Sequence, residues 1–257
     1  MNNSDCMCNR KVKYDDWVKR VIAFLSETAP QLGEKGTHCA TFQSMPVLCK
    51  QPDVVYLGYN PNEPWEFYKE DVLPERFYRG NPYFYSERKK FKVWRLADAF
   101  EWAGYNKPVE DGNFVFFNAV YFGTKNIQSF KRIPGSTEAI EKCISFTEEV
   151  IQDIFKPKCI VCFSVNDCFN LLNNRLGFKD VKFIDTAEST DADLIVFAKT
   201  REDRAWKVTY SCQQPVTKGF WNGIPVYGIP HPSSRKLTGD DLGAIALYLR
   251  SELQKLE

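Results

Sequence analysis

The spacing of apolar and polar side chains along the chain predicts helices and strands in alternation. Helices are predicted, from apolar periodicity and end signals, at five segments: Trp17–Ala29, Val93–Ala103, Ser136–Phe155, Asp167–Asn174 and Leu237–Leu256. Short apolar runs predict strands at six segments: Asp53–Gly58, Asn113–Asn118, Lys158–Phe163, Val181–Ile184, Asp193–Ala198 and Val226–Ile229. This alternation indicates an α/β fold around a mostly parallel sheet.

No internal repeat or low-complexity linker divides these elements. We therefore expect one domain over residues 1–257, with residues 1–50 as an N-terminal helical extension. A chain of 257 residues is long enough to bury a sizeable core.

Polar side chains stand directly after several of the predicted strands. In parallel α/β sheets, ligands bind beyond the carboxyl ends of the strands. The first strand runs into Gly58-Tyr59-Asn60-Pro61, the second ends at Asn118, and His231 lies between two prolines after a later strand. A turn or helix cap is the usual role of such an Asn, and a lone His is more often structural. The combination of the three strand ends favours a functional site.

Two further polar residues are predicted to act as helix caps, and the second histidine of the chain is predicted to have a structural role. Ser136 precedes a long helical pattern, and Ser164 follows a strand just before the next helix. The second histidine of the chain, His38, stands in an undistinguished loop, so we expect it to be structural.

Composition narrows the function classes without selecting one. The 34 basic and 33 acidic side chains leave a net charge of +1, which excludes a strong global field for nucleic acid. Apolar runs are too short to span a membrane. Nine cysteines, an odd number, and a polar N-terminus indicate mostly free thiols in a reducing cytoplasm, nucleoid-associated if the organism is bacterial. Cys159 and Cys162 lie on one predicted strand and point to opposite faces, which disfavours a metal site.

The ordered motifs carry a family resemblance. Gly58-Tyr59-Asn60-Pro61, then Asn118, then His231-Pro232-Ser233-Ser234-Arg235 resemble the uracil-DNA glycosylase superfamily, most closely its single-strand-selective monofunctional branch. The resemblance spans about residues 50–257 in order and spacing. One departure is Asn62, because that branch commonly has Gly after the Asn-Pro pair.

The resemblance implies a three-layer α/β/α sandwich and a base-flipping hydrolase of base excision repair. By similarity, Asn60 orients the attacking water, Asn118 pairs with the uracil edge, and His231 stabilises the departing base. Gly58 and Tyr59 would help to bind the base. The scheme requires no metal or other cofactor, and we expect a monomer that acts on uracil-containing or damaged DNA and not on membranes.

A basic, aromatic stretch supplies the local charge that DNA binding needs. Residues 76–95 hold seven basic side chains and seven aromatic ones against a single acid. Phosphate contacts are expected from Arg88, Lys89 and Lys90, and from Ser233, Ser234 and Arg235 after the histidine. Arg235 would fill the gap left by the flipped base. One aromatic is expected to stack on that base, with core packing as the alternative role for each candidate: Trp65, Phe67, Tyr68 and Phe84, of which Phe84 and Trp65 lead.

Two readings of function stay open at this point. The first is a glycosylase that releases uracil or a related base. The second is a divergent member that binds nucleic acid or a nucleotide without releasing a base, which Asn62 and the absence of a carboxylate beside Asn60 favour. An unrelated serine hydrolase is disfavoured, because no Gly-x-Ser-x-Gly elbow occurs.

Overall fold

A computed structural model describes residues 3–61, 65–91, 93–124, 127–184, 216–232, 234, 237 and 239–257. The predicted strand Asp193–Ala198 and residues Asn62, Ser233 and Arg235 lie outside these ranges. The described residues are mixed α and β, as predicted. The chain divides into two compact units: Met1–Ser86 with Val115–Pro157, and Glu87–Phe114 with Lys158–Glu257.

The helices and strands follow the predicted order, with some added. The helices are α1 (Asn3–Thr28), α2 (Pro74–Arg79), α3 (Val93–Trp102), α4 (Ile127–Phe130), α5 (Ser136–Glu149), α6 (Asn170–Leu176) and α7 (Gly239–Gln254). The strands are β1 (Val54–Gly58), β2 (Phe114–Asn118), β3 (Cys159–Phe163), β4 (Lys179–Ile184), β5 (Val216–Trp221) and β6 (Ile224–Ile229). Helix α1 begins well before the predicted segment, while β5, α2 and α4 have no predicted counterpart.

The first unit is built on α1 and the neighbouring strands β1 and β2. Aromatic side chains of α1 form much of its core: Trp17 stacks on Tyr14 at 5.7 Å and donates its indole N–H to the Phe146 carbonyl at 2.9 Å. Both rings are fully buried. Much of the aromatic surplus of the sequence therefore serves packing in this unit.

An irregular segment covers the β2 side of this unit. Isolated antiparallel bridges join Cys39 to Phe122 and Phe42 to Phe117, so residues 39–44 run beside β2 without forming a regular strand. The hydroxyl of Ser44 accepts the amide N–H of Phe116 at 2.8 Å. Covering a strand edge in this way satisfies backbone groups that would otherwise be open to pairing.

The second unit is built on a sheet with the strand order β3-β6-β5-β4. Strands β3 and β6 are parallel, with Ile160 opposite Val226, whereas β5 is antiparallel to both of its neighbours. All five residues of β3 are buried. The carboxyl ends of β3 and β6 consequently lie side by side, where the rule for α/β sheets places ligands.

The two cap predictions have different outcomes. Ser164 is a cap, since its hydroxyl accepts the amide N–H of Asp167 at 3.1 Å. Ser136 is not, because the cap position belongs to Gly135, whose φ of 78° starts the helix without a side-chain bond. Ser136 is buried one residue inside the helix instead.

Candidate functional site

The amide of Asn60 is held in one orientation by backbone carbonyls. Its Nδ2 donates to the carbonyl oxygens of Pro61 at 2.8 Å, Phe122 at 3.2 Å and Thr124 at 3.3 Å. Three carbonyls around one end of the amide identify that end as the NH₂ group. Oδ1 must then point the other way, and it accepts no hydrogen bond from the part of the chain that the structure describes.

Asn118 and Gly58 meet at the carboxyl ends of β2 and β1. Successive amides of Ala119 and Val120 donate to the carbonyls of Gly58 and Tyr59, both at 2.8 Å, so the two chains run in the same direction here. A Cβ on Gly58 would lie 2.8 Å from Oδ1 of Asn118, a distance that real Cβ atoms do not adopt. The close approach of the Asn118 side chain therefore requires glycine at position 58.

The Asn118 side chain is buried and partly engaged. It is 3% exposed, and its Nδ2 donates to the Ala40 carbonyl at 3.1 Å. An amide NH₂ has two hydrogens, so one donor of Asn118 is used by Ala40. Tyr59, the other residue expected to bind the base, is also buried.

The two leading aromatic candidates differ in exposure. Phe84 is fully buried, packed at 5.9 Å against the ring of Phe116, which also approaches Gly58. Trp65 is 59% exposed and its ring lies 5.5 Å from that of His38. Phe84 thus packs against the ring that approaches Gly58, whereas more than half of the Trp65 surface is open to solvent.

His231 in the second unit follows the end of β6. Its ring meets Phe163 edge-on, with centroids 6.2 Å apart. Burial lowers the pKa of His231, and the negative charge of Asp167 opposes that shift. Because the pKa lies below the ordinary value for histidine, the imidazole is neutral at pH 7.

The end of β3 supplies the charged neighbour of this histidine. Ser164 has a positive φ of 78° and donates its amide N–H to the Ile229 carbonyl at 2.9 Å. Its hydroxyl donates to Oδ2 of Asp167 at 2.9 Å. Ser164 therefore joins the end of β6 to the carboxylate that acts on His231.

Arg95 is a residue whose role the sequence pattern did not reveal. It belongs to the basic stretch, but its guanidinium donates to the carbonyl oxygen of Pro232 and, at 3.4 Å, to that of Leu237. Both acceptors lie in the loop that follows His231. Arg95 thus braces this loop, and no local sequence signal distinguishes it from the other basic residues of the stretch.

The remaining candidates for DNA contact differ in their exposure to solvent. Arg88, Lys89 and Lys90 form an exposed 3₁₀ turn in which Arg88 lies 4.2 Å above the Trp94 ring and Lys90 pairs with Glu87. Ser234 is half-buried, and its amide N–H donates to the His231 carbonyl at 2.8 Å. The exposed turn retains three cationic side chains that solution phosphates can reach.

Among the residues that the structure describes, there is neither a cluster of metal ligands nor a membrane-spanning helix. Among the described residues, no group of three or more His, Cys, Asp and Glu side chains is arranged to hold a metal ion. Six described cysteines are free thiols, and among them the side chains of Cys162 and Cys168 are hydrogen-bonded to each other. No described helix is both long and apolar enough to cross a bilayer.

Protein-family models give no match to the chain, and curated proteins give no significant match.

Proposed function

We propose that this protein is a DNA glycosylase that flips and hydrolytically releases uracil or a related damaged base. The observation that carries the proposal is the fixed amide of Asn60, whose three carbonyl partners direct Oδ1 away from the backbone. An oxygen held in this way is suited to accept a hydrogen bond from a water and to orient it for attack.

Asn118 and Gly58 support the same reading. The buried Asn118 amide offers a donor and an acceptor at a strand end, which is the hydrogen-bonding pattern that matches a pyrimidine edge. Gly58 makes room for it. Both residues occupy the places that the superfamily resemblance assigns to base recognition, and we extend the proposal to that superfamily's three-layer α/β/α architecture.

The proposed reaction is a hydrolysis with a poor leaving group. The water oxygen forms a bond to C1′, the C1′–N1 bond breaks, and its electron pair leaves with the base. The water loses a proton to solvent, and the base anion is protonated from solvent. His231, neutral and carrying one N–H, would donate to O2 of the base as negative charge develops there.

DNA binding in this proposal depends on a small patch. The exposed turn of Arg88, Lys89 and Lys90 would contact phosphates. Binding depends on this local patch because the net charge of the whole chain is only +1. Affinity for DNA should therefore fall with added salt, with a slope that reflects a few neutralised phosphates.

The direct test is base release from defined oligonucleotides. Purified full-length protein is incubated with single- and double-stranded DNA containing one uracil, hydroxymethyluracil, xanthine or hypoxanthine, and abasic sites are then cleaved with alkali. Matched thymine-containing strands are the control. Strand cleavage specific to one of the modified bases supports the proposal. No cleavage with any of them refutes it, and tight DNA binding without release would establish the non-catalytic alternative.

A further inference from the structure

A cavity in the first unit is lined by residues to which the proposed base release gives no role, apart from Trp65, which is a candidate for stacking on the flipped base. Its volume is about 160 Å³, and its walls come from residues 38–42, from Trp65, and from α2 and the turn after it. Gly58, Asn60 and Asn118 are not among its lining residues. The cavity therefore has a lining of its own, although it adjoins Asn118, whose Nδ2 donates to the carbonyl of the lining residue Ala40.

A histidine–aspartate pair forms one polar wall of this cavity. Nδ1 of His38 lies 2.9 Å from Oδ2 of Asp71, and both side chains are nearly buried. The same Oδ2 accepts the amide N–H of Tyr68 at 3.1 Å, which fixes the carboxylate on its turn. This pair holds the imidazole in one orientation, so the structural role expected for His38 is accompanied by placement at a cavity.

The neighbouring thiol argues for binding rather than nucleophilic catalysis. Cys39 also lines the cavity beside the pair. Burial first, and then the charge of Asp71, raise the pKa of the Cys39 thiol far above its ordinary value. A thiol in this state is a poor nucleophile, because the thiolate is the reactive form.

The size and aromatic lining of the cavity indicate a planar, single-ring ligand. A cavity of about 150 Å³ in another protein binds benzene, so the present volume suits one six-membered ring and is small for two fused rings. Phe42 and Phe77 line it as buried side chains, while Trp65 and Tyr83 line it with 59% and 58% of their surface exposed. Rings that are open to solvent at a cavity are suited to stack on a planar heterocycle.

Arg76 adds a positive charge to this lining. It is exposed, and within the described ranges its guanidinium forms no ion pair. Arg79, on the same short helix, instead pairs with Glu75 at 3.0 Å and is not part of the lining. An arginine with open donors is a good partner for a phosphate group, which it binds through two parallel hydrogen bonds.

We propose that this cavity binds a pyrimidine nucleoside 5′-monophosphate. The pyrimidine ring occupies the cavity against Trp65 and Tyr83, and the phosphate pairs with Arg76 at the exposed side. The polar edge of the base meets the wall formed by His38 and Asp71. This inference goes beyond the proposed base release and does not depend on it.

The test is calorimetric titration of the full-length protein with UMP, uridine and AMP. UMP is expected to bind, uridine about tenfold more weakly because it lacks the phosphate, and AMP more weakly than UMP because a purine exceeds the cavity. Equal affinity for UMP and AMP would overturn the assignment of a single-ring site. Undetectable UMP binding would overturn the proposal as a whole.

Two variants locate the ligand, each with a matched control. Arg76→Gln is expected to weaken UMP about tenfold and leave uridine unchanged, while Arg79→Gln changes neither. Trp65→Ala is expected to weaken both ligands about tenfold, while the exposed Tyr68→Ala does not. All four side chains are solvent-exposed, so folding should be retained, and thermal unfolding checks this. UMP binding that is unchanged in both Arg76→Gln and Trp65→Ala places the ligand elsewhere and refutes the proposal.

The Asn60→Ala variant separates this site from the proposed catalytic one. It should abolish most base release while UMP binds with wild-type affinity. A wild-type protein that binds UMP in an Arg76-dependent way but releases no base would refute the glycosylase and leave the nucleotide site standing. Loss of UMP binding in Asn60→Ala would mean that the ligand occupies the strand-end site, which contradicts the inference.

Discussion

The two units of the protein hold their candidate residues by different forces. In the first unit, backbone carbonyls fix Asn60, and close packing on Gly58 fixes Asn118. In the second unit, charged side chains have this part: the charge of Asp167 acts on the His231 imidazole, and Arg95 donates to carbonyls of the loop that follows it. The groups that hold Asn60 and Asn118 are neutral, whereas those that act on His231 and its loop carry charge.

This difference has consequences for how each set responds to its surroundings. Carbonyl–amide bonds do not titrate near neutral pH and are little affected by salt, whereas interactions with a carboxylate depend on its protonation state. If the proposed function is right, changes in the first unit should alter the rate at every pH. Changes around His231 should alter the shape of the pH profile as well.

The largest effect is expected from Asn60. Replacing it with Ala removes the oxygen that would orient the water, and we expect kcat for uracil release to fall about 10²-fold or more. The decrease should be the same from pH 5.5 to 9, because no titrating group is removed. Single-turnover measurements on a uracil-containing oligonucleotide give this comparison directly.

Asn60→Asp is the matched variant for this experiment. It retains an oxygen but replaces the NH₂ donor with a second acceptor that faces three carbonyls. That repulsion should destabilise the wild-type orientation and lower the melting temperature, which Asn60→Ala should do less. Full activity in Asn60→Ala would remove this residue from the proposed mechanism.

A smaller effect is expected from Gly58. An added Cβ would lie 2.8 Å from Oδ1 of Asn118, so the Asn118 amide must shift, and overpacking of this kind costs about 1–3 kcal/mol. We expect Gly58→Ala to reduce kcat/KM about tenfold.

Gly243→Ala is the control for this change in volume. Its Cβ would also be tight, at 3.1 Å from the Trp102 ring, but Gly243 lies in α7 of the second unit, whereas Asn118 and Asn60 belong to the first. It should alter the melting temperature without lowering kcat/KM. Equal loss of activity in the two variants would show a general effect of overpacking rather than a specific one on Asn118.

The fully buried strands were predictable from sequence, whereas strand β5 and the short helices α2 and α4 were not. β1, β2 and β3 lie within one residue of their predicted bounds, because an apolar run in a buried strand depends little on its neighbours. β5 alternates between buried and half-buried residues and contains Lys218 and Gly219, so no apolar run marks it. The cap at Gly135 was assigned to Ser136, because left-handed backbone at a glycine leaves no side-chain signal.

The strand-end side chains were predictable from sequence, but their supports were not. Asn60 and Asn118 could be singled out because each follows an apolar run directly. The partners that orient them, such as the Phe122 and Ala40 carbonyls, are backbone groups distant in sequence, so no residue type reveals them. The pairing of His38 with Asp71 could not be predicted for the same reason, since Asp71 is 33 residues away.

Replacing Arg95 tests the role of a charged side chain in the second unit. Arg95→Met keeps much of the apolar stem but removes the donors to the Pro232 and Leu237 carbonyls. The loop after His231 should lose its brace, and we expect kcat to fall about fivefold to tenfold with little change in DNA affinity.

Arg88→Met is the corresponding control in the basic stretch. Arg88 is exposed on its turn, so its loss should weaken DNA binding and reduce the salt dependence by about one phosphate contact, with kcat nearly unchanged. Filter binding at several salt concentrations and single-turnover rates distinguish the two variants. If Arg95→Met instead changes only the salt dependence, Arg95 contacts phosphate and does not brace the loop.

The smallest expected effect, and the most specific, is a shift of the acid limb of the pH profile by Asp167→Asn. The negative charge of Asp167 raises the pKa of His231 against the lowering effect of burial, so its removal should lower that pKa further. Because the neutral imidazole is the proposed donor, activity falls as pH decreases through the pKa, and the variant should retain activity to lower pH than the wild type does. The hydrogen bonds of Asn and Asp to Ser164 are similar in shape, so the fold should be kept. A shift of the acid limb of the pH profile to higher pH would mean that Asp167 does not act on His231 by its charge. The second unit would then hold its candidate residue without a charge interaction, as the first unit does.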